Sequence, residues 1–180
     1  PPMNRKEALL LLEHLGAPSH LLRHAHLVQE TATQILDALA QRFPEAVAGL
    51  DRDLVEAGAI LHDVGKTLHP EELHRPGHAH EEAGKAWLLE HGVSVDLAAI
   101  CVSHAQWATL ICSREELLVA LADKLWKGRR EQELEEALTR QLAGHAGKDF
   151  WEVYPALLDV CERIAARGDE RLLRSVRHDM

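Results

Sequence analysis

Residues 54–66 read Leu54-Val55-Glu56-Ala57-Gly58-Ala59-Ile60-Leu61-His62-Asp63-Val64-Gly65-Lys66. Leu54, Val55, Ala57, Gly58 and Leu61 recur at helical spacing. Asp51 or Asp53, just upstream, can cap that helix by accepting from its unpaired N–H groups. The apolar helix therefore delivers His62 and Asp63 to its end, where the chain leaves helical geometry and both side chains can turn toward one ion. An imidazole nitrogen beside a carboxylate suits a borderline metal such as Mn²⁺, Fe²⁺, Co²⁺ or Zn²⁺. Gly65 permits the backbone turn that follows. The dipeptide alone is a weak signal: with thirteen His and ten Asp, chance gives about 0.7 such pairs. A second pair, His178-Asp179, stands near the C-terminal end. What distinguishes the first is its setting, a buried-looking helix that runs on into Gly-Lys.

Outward from this stretch, helical periodicity recurs. Residues 4–15 predict a short amphipathic helix closed by Gly16 and Pro18. Ser19 reads as the N-cap of a long helix to about Arg42, with Leu22, His24, Leu27, Val28, Thr31 and Ile35 near one face, and Pro44 ends it. After Lys66 comes a polar loop holding Pro70, Pro76 and Gly77. Further helices are expected at about 79–91, 94–106, 114–127, 130–143 and 148–167, with a short last one near 169–177. Gly92, Ser113 and Gly147 mark joins. No heptad persists, so the expected fold is all-α, a single orthogonal helical bundle over residues 1–180 rather than a coiled coil.

The composition agrees. Aromatic residues make up only 4% of the 180, and Leu, Ala, Glu, Gln and Arg outnumber the β-branched types, which favours helix over sheet. No apolar run approaches a bilayer's thickness and the N-terminus has no signal-peptide core, so no membrane association is expected. Three widely spaced cysteines without a C-x-x-C pair fit reduced thiols, and the expected compartment is the cytoplasm. A formal net charge of −9 repels polymeric nucleic acid. It leaves room for small phosphorylated ligands in a locally basic pocket. The basic cluster is Lys124, Lys127, Arg129 and Arg130.

Other candidate ligands stand on separate predicted helices. His24 lies on the long second one. His80 begins His80-Glu81-Glu82-Ala83-Gly84, where Gly84, one turn on, lets another element approach. His104 ends the apolar run from Ala98. Asp123 sits among Ala120, Leu121 and Ala122, and a carboxylate in such company needs a cation. That cation is either a metal or one of Lys124, Lys127 and Arg130. For each histidine singly, a half-buried, hydrogen-bonded structural role is the plainer reading. Together they put one histidine on each of four helices. His14, His20, His91, His145 and His178 read as solvated or capping residues, and His26, two residues from His24, faces away from it. His69, His74 and His78 lie in the loop over the candidate site, either touching substrate or simply polar. Trp87, Trp107, Trp126 and Trp151 read as core, with Trp107 and Trp126 the best placed to face a ligand.

The order His24, His62-Asp63, His80, His104, Asp123 resembles the HD superfamily of metal-dependent phosphohydrolases, over about residues 20–130. In that family the paired His-Asp, an upstream His and a downstream Asp bind the metal, and the fold is all-helical. His80 and His104 resemble the subset that binds two metals, which includes cyclic-dinucleotide phosphodiesterases and symmetrical dinucleoside-tetraphosphate hydrolases. The run from His62 through Pro76-Gly77 to Gly84 is similar in order to the cyclic-dinucleotide branch, but its Gly-Tyr-Pro signature is missing here. The stretch from Asp123 to Arg130 resembles the ending of the tetraphosphate hydrolases.

The resemblance implies one or two divalent ions, of Mn, Fe, Co, Ni, Zn or Mg. His24, His62, Asp63 and Asp123 would hold one, with Asp63 bridging to a second on His80 and His104. It further implies hydrolysis of a small phosphate ester, a nucleotide or dinucleotide, by metal-activated water, with Asp63 and Lys66 as catalytic residues. Lys66, Arg129 and Arg130 are the candidate phosphate contacts. With one ion only, His80 and His104 would become general acid or substrate contacts. The alternative from another class is a catalytically silent HD-type module that binds a nucleotide or metal as a sensor.

Overall fold

The computed structural model describes residues 3–176. Its helices are α1 (Arg5–His14), α2 (Ser19–Arg42), α3 (Arg52–Leu61), α4 (Ala79–Glu90), α5 (Val95–Gln106), α6 (Arg114–Leu125), α7 (Gln132–Ala146), α8 (Phe150–Ala165) and α9 (Gly168–Val176). Short 3-10 turns occupy Pro44–Ala46, Val64–Thr67 and Pro70–Leu73. There is no strand among the described residues, and the fold is an all-α bundle, as the composition and periodicity imply. No helix among them is long and apolar enough to cross a membrane. The second His-Asp pair, His178-Asp179, lies outside the described residues, as does the end of the expected last helix.

The centre of the bundle is α3, whose residues Val55 to Leu61 are all buried. It packs against α1, α2, α5 and α6. Gly58 makes that crowding possible: a Cβ there would lie 2.7 Å from Ile100 Cδ1 on α5 and 3.2 Å from Val119 Cγ2 on α6. Burying Ile60 or Leu61 in such a site stabilises the fold by about 1.5–3 kcal/mol each. One continuous core runs from Ala8 to Ile164 and joins side chains of α1 through α8.

The capping of α3 is by Asp51, whose carboxylate accepts from Leu54 N–H at 3.0 Å. At α2 the sequence reading needs correction. Pro18, in extended conformation, is the N-cap, and Ser19 is the first helical residue. The Pro18 carbonyl accepts the first helical bond from Leu22 N–H at 3.0 Å, so no side-chain cap forms. On α2, Leu21, Ala25, Val28, Ala32, Ile35 and Leu39 form the buried stripe while His26 is exposed. His24 borders the stripe and is half-buried.

The C-terminal helices close over α2 and α6. α7 runs on to Gly147, which adopts left-handed φ 65°, ψ 33° and stops it. The inward face of α8 carries Val153, Ala156, Leu157, Val160, Cys161 and Ile164. Trp151, expected in the core, is 73% exposed. Two residues from Val153 is about 200° around a helix, so the apolar stripe itself turns this ring outward. α9 is tied down by Arg171, which is 4% exposed. Its guanidinium donates to the carbonyls of Leu125, Trp126 and Ile164 and to the Gln34 side chain. Arg174 pairs bidentately with Glu30 of α2. These contacts fix the C-terminal end of α6 against α2, which matters because Asp123 and His24 stand there.

Candidate metal centre

At the end of α3, His62 keeps helical angles (φ −56°, ψ −32°) while Asp63 leaves them (φ −106°, ψ 14°), and the 3-10 turn of Val64–Thr67 follows. The two side chains thereby converge, with His62 Nε2 3.4 Å from Asp63 Oδ2. Both are buried.

Asp63 is the hub. Its Oδ2 lies 3.1 Å from His24 Nε2 on α2. Its Oδ1 lies 3.4 Å from His80 Nε2 on α4 and 3.3 Å from His104 Nε2 on α5. Asp123 of α6 completes the Oδ2 side, its Oδ1 being 3.2 Å from His62 Nε2 and 3.5 Å from His24 Nε2. Two sets of potential ligand atoms result, each within 4.8 Å internally. One is His24, His62, Asp63 and Asp123; the other is Asp63, His80 and His104. All six residues that the sequence pattern brings into question therefore meet around one carboxylate.

The histidines are oriented from behind. His62 Nδ1–H donates to the Ala59 carbonyl at 2.7 Å, and His104 Nδ1–H donates to the Ile100 carbonyl at 3.0 Å. His80 Nδ1–H donates to Glu72 Oε1 at 2.6 Å. A carbonyl only accepts, so these bonds put the proton on Nδ1 and direct each Nε2 lone pair at the carboxylates. Two acceptors facing each other need a positive charge between them. In the bare protein a proton supplies it: burial pushes His62 down, but Asp63 and Asp123 override this and raise it to about 10. Asp63 is held well below the usual carboxylate range, because the surrounding imidazoles outweigh its burial. Asp123 is lowered against its burial by His62 in the same way. Imidazole nitrogens and carboxylate oxygens from four helices and a helix end, with the outer nitrogens of His62, His80 and His104 already engaged, fit one or two divalent cations.

Lys66 is held against the same carboxylate, its Nζ 3.2 Å from Asp63 Oδ2. Gly65 serves a different purpose from the one its sequence suggests. Its φ is not positive; what matters is the missing side chain. A Cβ there would overlap the His80 carbonyl oxygen and lie 2.8 Å from Gly84 N. Gly84 reciprocates, its own missing Cβ position being 3.1 Å from Gly65 N. The pair lets the turn after His62-Asp63 press onto α4, which sets His80 beside Asp63.

The other candidate cations are engaged elsewhere. Arg130 gives a bidentate pair to Glu135 at 2.8 and 2.6 Å and lines a separate pocket with Gln132, Tyr154 and Leu158. Arg129 is exposed and pairs with Glu131 at 3.6 Å. Asp123 takes histidines, rather than Lys124, Lys127 or Arg130, as its ion-pair partners. In the loop, His69 pairs with Glu71, His74 stands 6.5 Å from the ring of His20, and His78 pairs with Glu81.

Of three further residues near the centre, the sequence singles out Trp126 and misses Glu81 and Glu72. Trp126 is buried and meets the His24 ring edge-on at 5.1 Å, fixing that imidazole from the side. Glu81 is 1% exposed and accepts from His78 and from Gln106 at 2.8 Å. Glu72 is buried behind His80. For the two carboxylates the sequence offers no sign, since both stand among polar neighbours and nothing in their spacing predicts burial. Trp126 is signalled by its place three residues after Asp123.

A family model described as HD domain matches residues 19–127. The match begins at the first residue of α2 and ends just after Trp126, enclosing every residue of the centre. No solved structure matches the chain.

Proposed function

The chain belongs to the HD domain family, and from that premise we propose that it is a metal-dependent phosphohydrolase acting on a phosphate ester of a small molecule, a nucleotide or dinucleotide. The observation that carries this reading is the shared carboxylate of Asp63, with two histidines on its Oδ1 side and two histidines and Asp123 on its Oδ2 side. His24, His62, Asp63 and Asp123 would hold one divalent ion, and Asp63, His80 and His104 a second. Ions bound there supply Lewis acidity, bringing the pKa of water toward neutrality and neutralising charge on phosphate oxygens.

The chain's own residues do the rest. Nδ1 bonds to Ala59, Ile100 and Glu72 keep the three imidazoles in one tautomer, so that no reorganisation is needed when substrate arrives. Lys66 Nζ, fixed beside Asp63 and one-quarter exposed, is the cation placed to take a phosphate oxygen from solvent. Arg129 and Arg130 pair with Glu131 and Glu135, whereas Lys66 pairs with the central Asp63 itself, so the phosphate role falls to Lys66. A formal charge of −9 disfavours long polyanions and supports a small substrate.

The test is hydrolysis of a panel of phosphate monoesters and diesters with added Mn²⁺, by wild type and Asp63→Ala. The expected result is turnover of at least one ester class by wild type and none by the variant. Turnover that survives Asp63→Ala contradicts the reading. Ions bound without turnover of any ester favour a silent sensor.

A further inference from the structure

Glu72 lies in the 3-10 turn of Pro70–Leu73, within the polar loop between the His-Asp pair and α4. Exposed side chains dominate that loop, yet Glu72 is buried. Its Oε1 accepts from His80 N–H at 3.0 Å and from His80 Nδ1 at 2.6 Å, and its Oε2 accepts from Ala79 N–H at 3.2 Å. The N-cap residue of α4, His78, makes no side-chain capping bond. Glu72 therefore supplies from a distance what the helix lacks locally, and it grips the His80 ring with the same oxygen.

The loop is shaped to allow this. A Cβ on Gly77 would overlap the Glu72 carboxylate, so only glycine leaves room for the acid to lie under the returning chain. The bond to His80 in turn holds Glu72 below the usual carboxylate range. His62 and His104 are oriented by main-chain carbonyls within their own helices. His80 alone among these three is oriented by a side chain, and by one from another element.

We infer that Glu72 is the positioning residue for the second ion: its carboxylate fixes the His80 tautomer and couples the loop of residues 68–78 to the Asp63–His80–His104 half of the centre. The inference depends on the two-ion reading above. A negative partner on Nδ1 also makes Nε2 a stronger donor, and loss of such a partner typically weakens metal affinity about 10- to 100-fold. Among the ligands Glu72 contacts His80 alone, so the first ion's ligands on α2, α3 and α6 are left untouched.

The experiment is calorimetric titration with Mn²⁺ alone of wild type, Glu72→Gln, His80→Ala and the double variant, with melting curves of each metal-free protein. Glutamine keeps an oxygen for the cap and removes the charge, so Glu72→Gln is expected to fold. The expected result is two ions per wild-type chain. The three-residue set holding the second ion should bind the more weakly of the two, and in Glu72→Gln that ion should bind about 10- to 100-fold less tightly still, with the ion of the four-residue set unchanged. In the His80→Ala background the same substitution should add nothing. A second-ion affinity within about twofold of wild type, beside a lowered melting temperature, would make Glu72 a helix cap only and overturn the inference. Equal losses for both ions, or losses that add in the double variant, would overturn it too. A wild type that binds one ion or none defeats the two-ion reading itself, and the inference with it.

Discussion

Gly65→Ala probes the close approach on which the second half of the centre depends. The added Cβ would stand 2.8 Å from both Gly84 N and the His80 carbonyl carbon and would overlap the His80 oxygen. Comfortable heavy-atom contacts are about 3.5 Å, so the turn and α4 must separate by on the order of 1 Å. All three atoms are backbone within a helix and none can rotate away. Overpacking of this kind costs about 1–3 kcal/mol, which for a chain of this size lowers the melting temperature by about 2–12 °C. His80 Nε2 would move off Asp63 Oδ1, now 3.4 Å away, and the second ion should weaken while the first holds. Gly144, in the last turn of α7, has nothing within 4 Å of its Cβ position. Gly144→Ala is the control and should stabilise by about 0.5–1 kcal/mol through helix propensity and a less free unfolded chain. Thermal melts with and without Mn²⁺ read both effects. If Gly65→Ala melts at or above wild type and keeps both ion affinities, the close-approach argument is refuted.

Further outcomes can be checked beside it. His62 is raised from 6.5 to about 10 in the metal-free protein, so its contribution to stability is complete below the unfolded value and is lost as pH climbs through the folded one. Metal-free protein should therefore lose stability between about pH 6.5 and 10, whereas saturating metal, which replaces the proton, should flatten that decline; parallel curves with and without metal argue against the site. Arg171→Met removes the donors to three carbonyls at the ends of α6 and α8. It should cost on the order of 2 kcal/mol or more and loosen the ion held by Asp123 and His24; an unchanged melt would show that α9 does not brace this end of α6. Lys66→Ala should raise KM or weaken inhibition by inorganic phosphate while leaving the ion count intact; loss of ions instead would place Lys66 in the structure of the centre.

How much of this was legible in the sequence varies with the distance over which a residue acts. The helices were, because their apolar stripes are local: Val55 to Leu61 on α3 and Leu21 to Leu39 on α2 declare buried faces at helical spacing. The same stripe logic accounts for the exposure of Trp151, which residue type alone mispredicts. The convergence of His24, His80, His104 and Asp123 on Asp63 joins residues up to a hundred positions apart, and periodicity places each on a helix without saying which faces meet. Resemblance to a family supplied that step, and the distances around Asp63 give it physical form. Glu72 and Glu81 were illegible because a buried acid in a polar loop or on a helix end looks like a solvated one until its partners are in place. Gly65 was noticed for the wrong reason: a missing Cβ serves either an unusual φ or a close neighbour, and only the packing of α4 tells which.

Everything proposed for this protein turns on one carboxylate, Asp63, joining two ion sites. Diffraction from crystals grown with Mn²⁺, measured at an energy where manganese scatters anomalously, tests it most directly. Two anomalous peaks are expected to flank Asp63, one among His24, His62 and Asp123, the other beside His80 and His104. A single peak beside Asp63, or manganese bound only elsewhere, would refute the two-site arrangement.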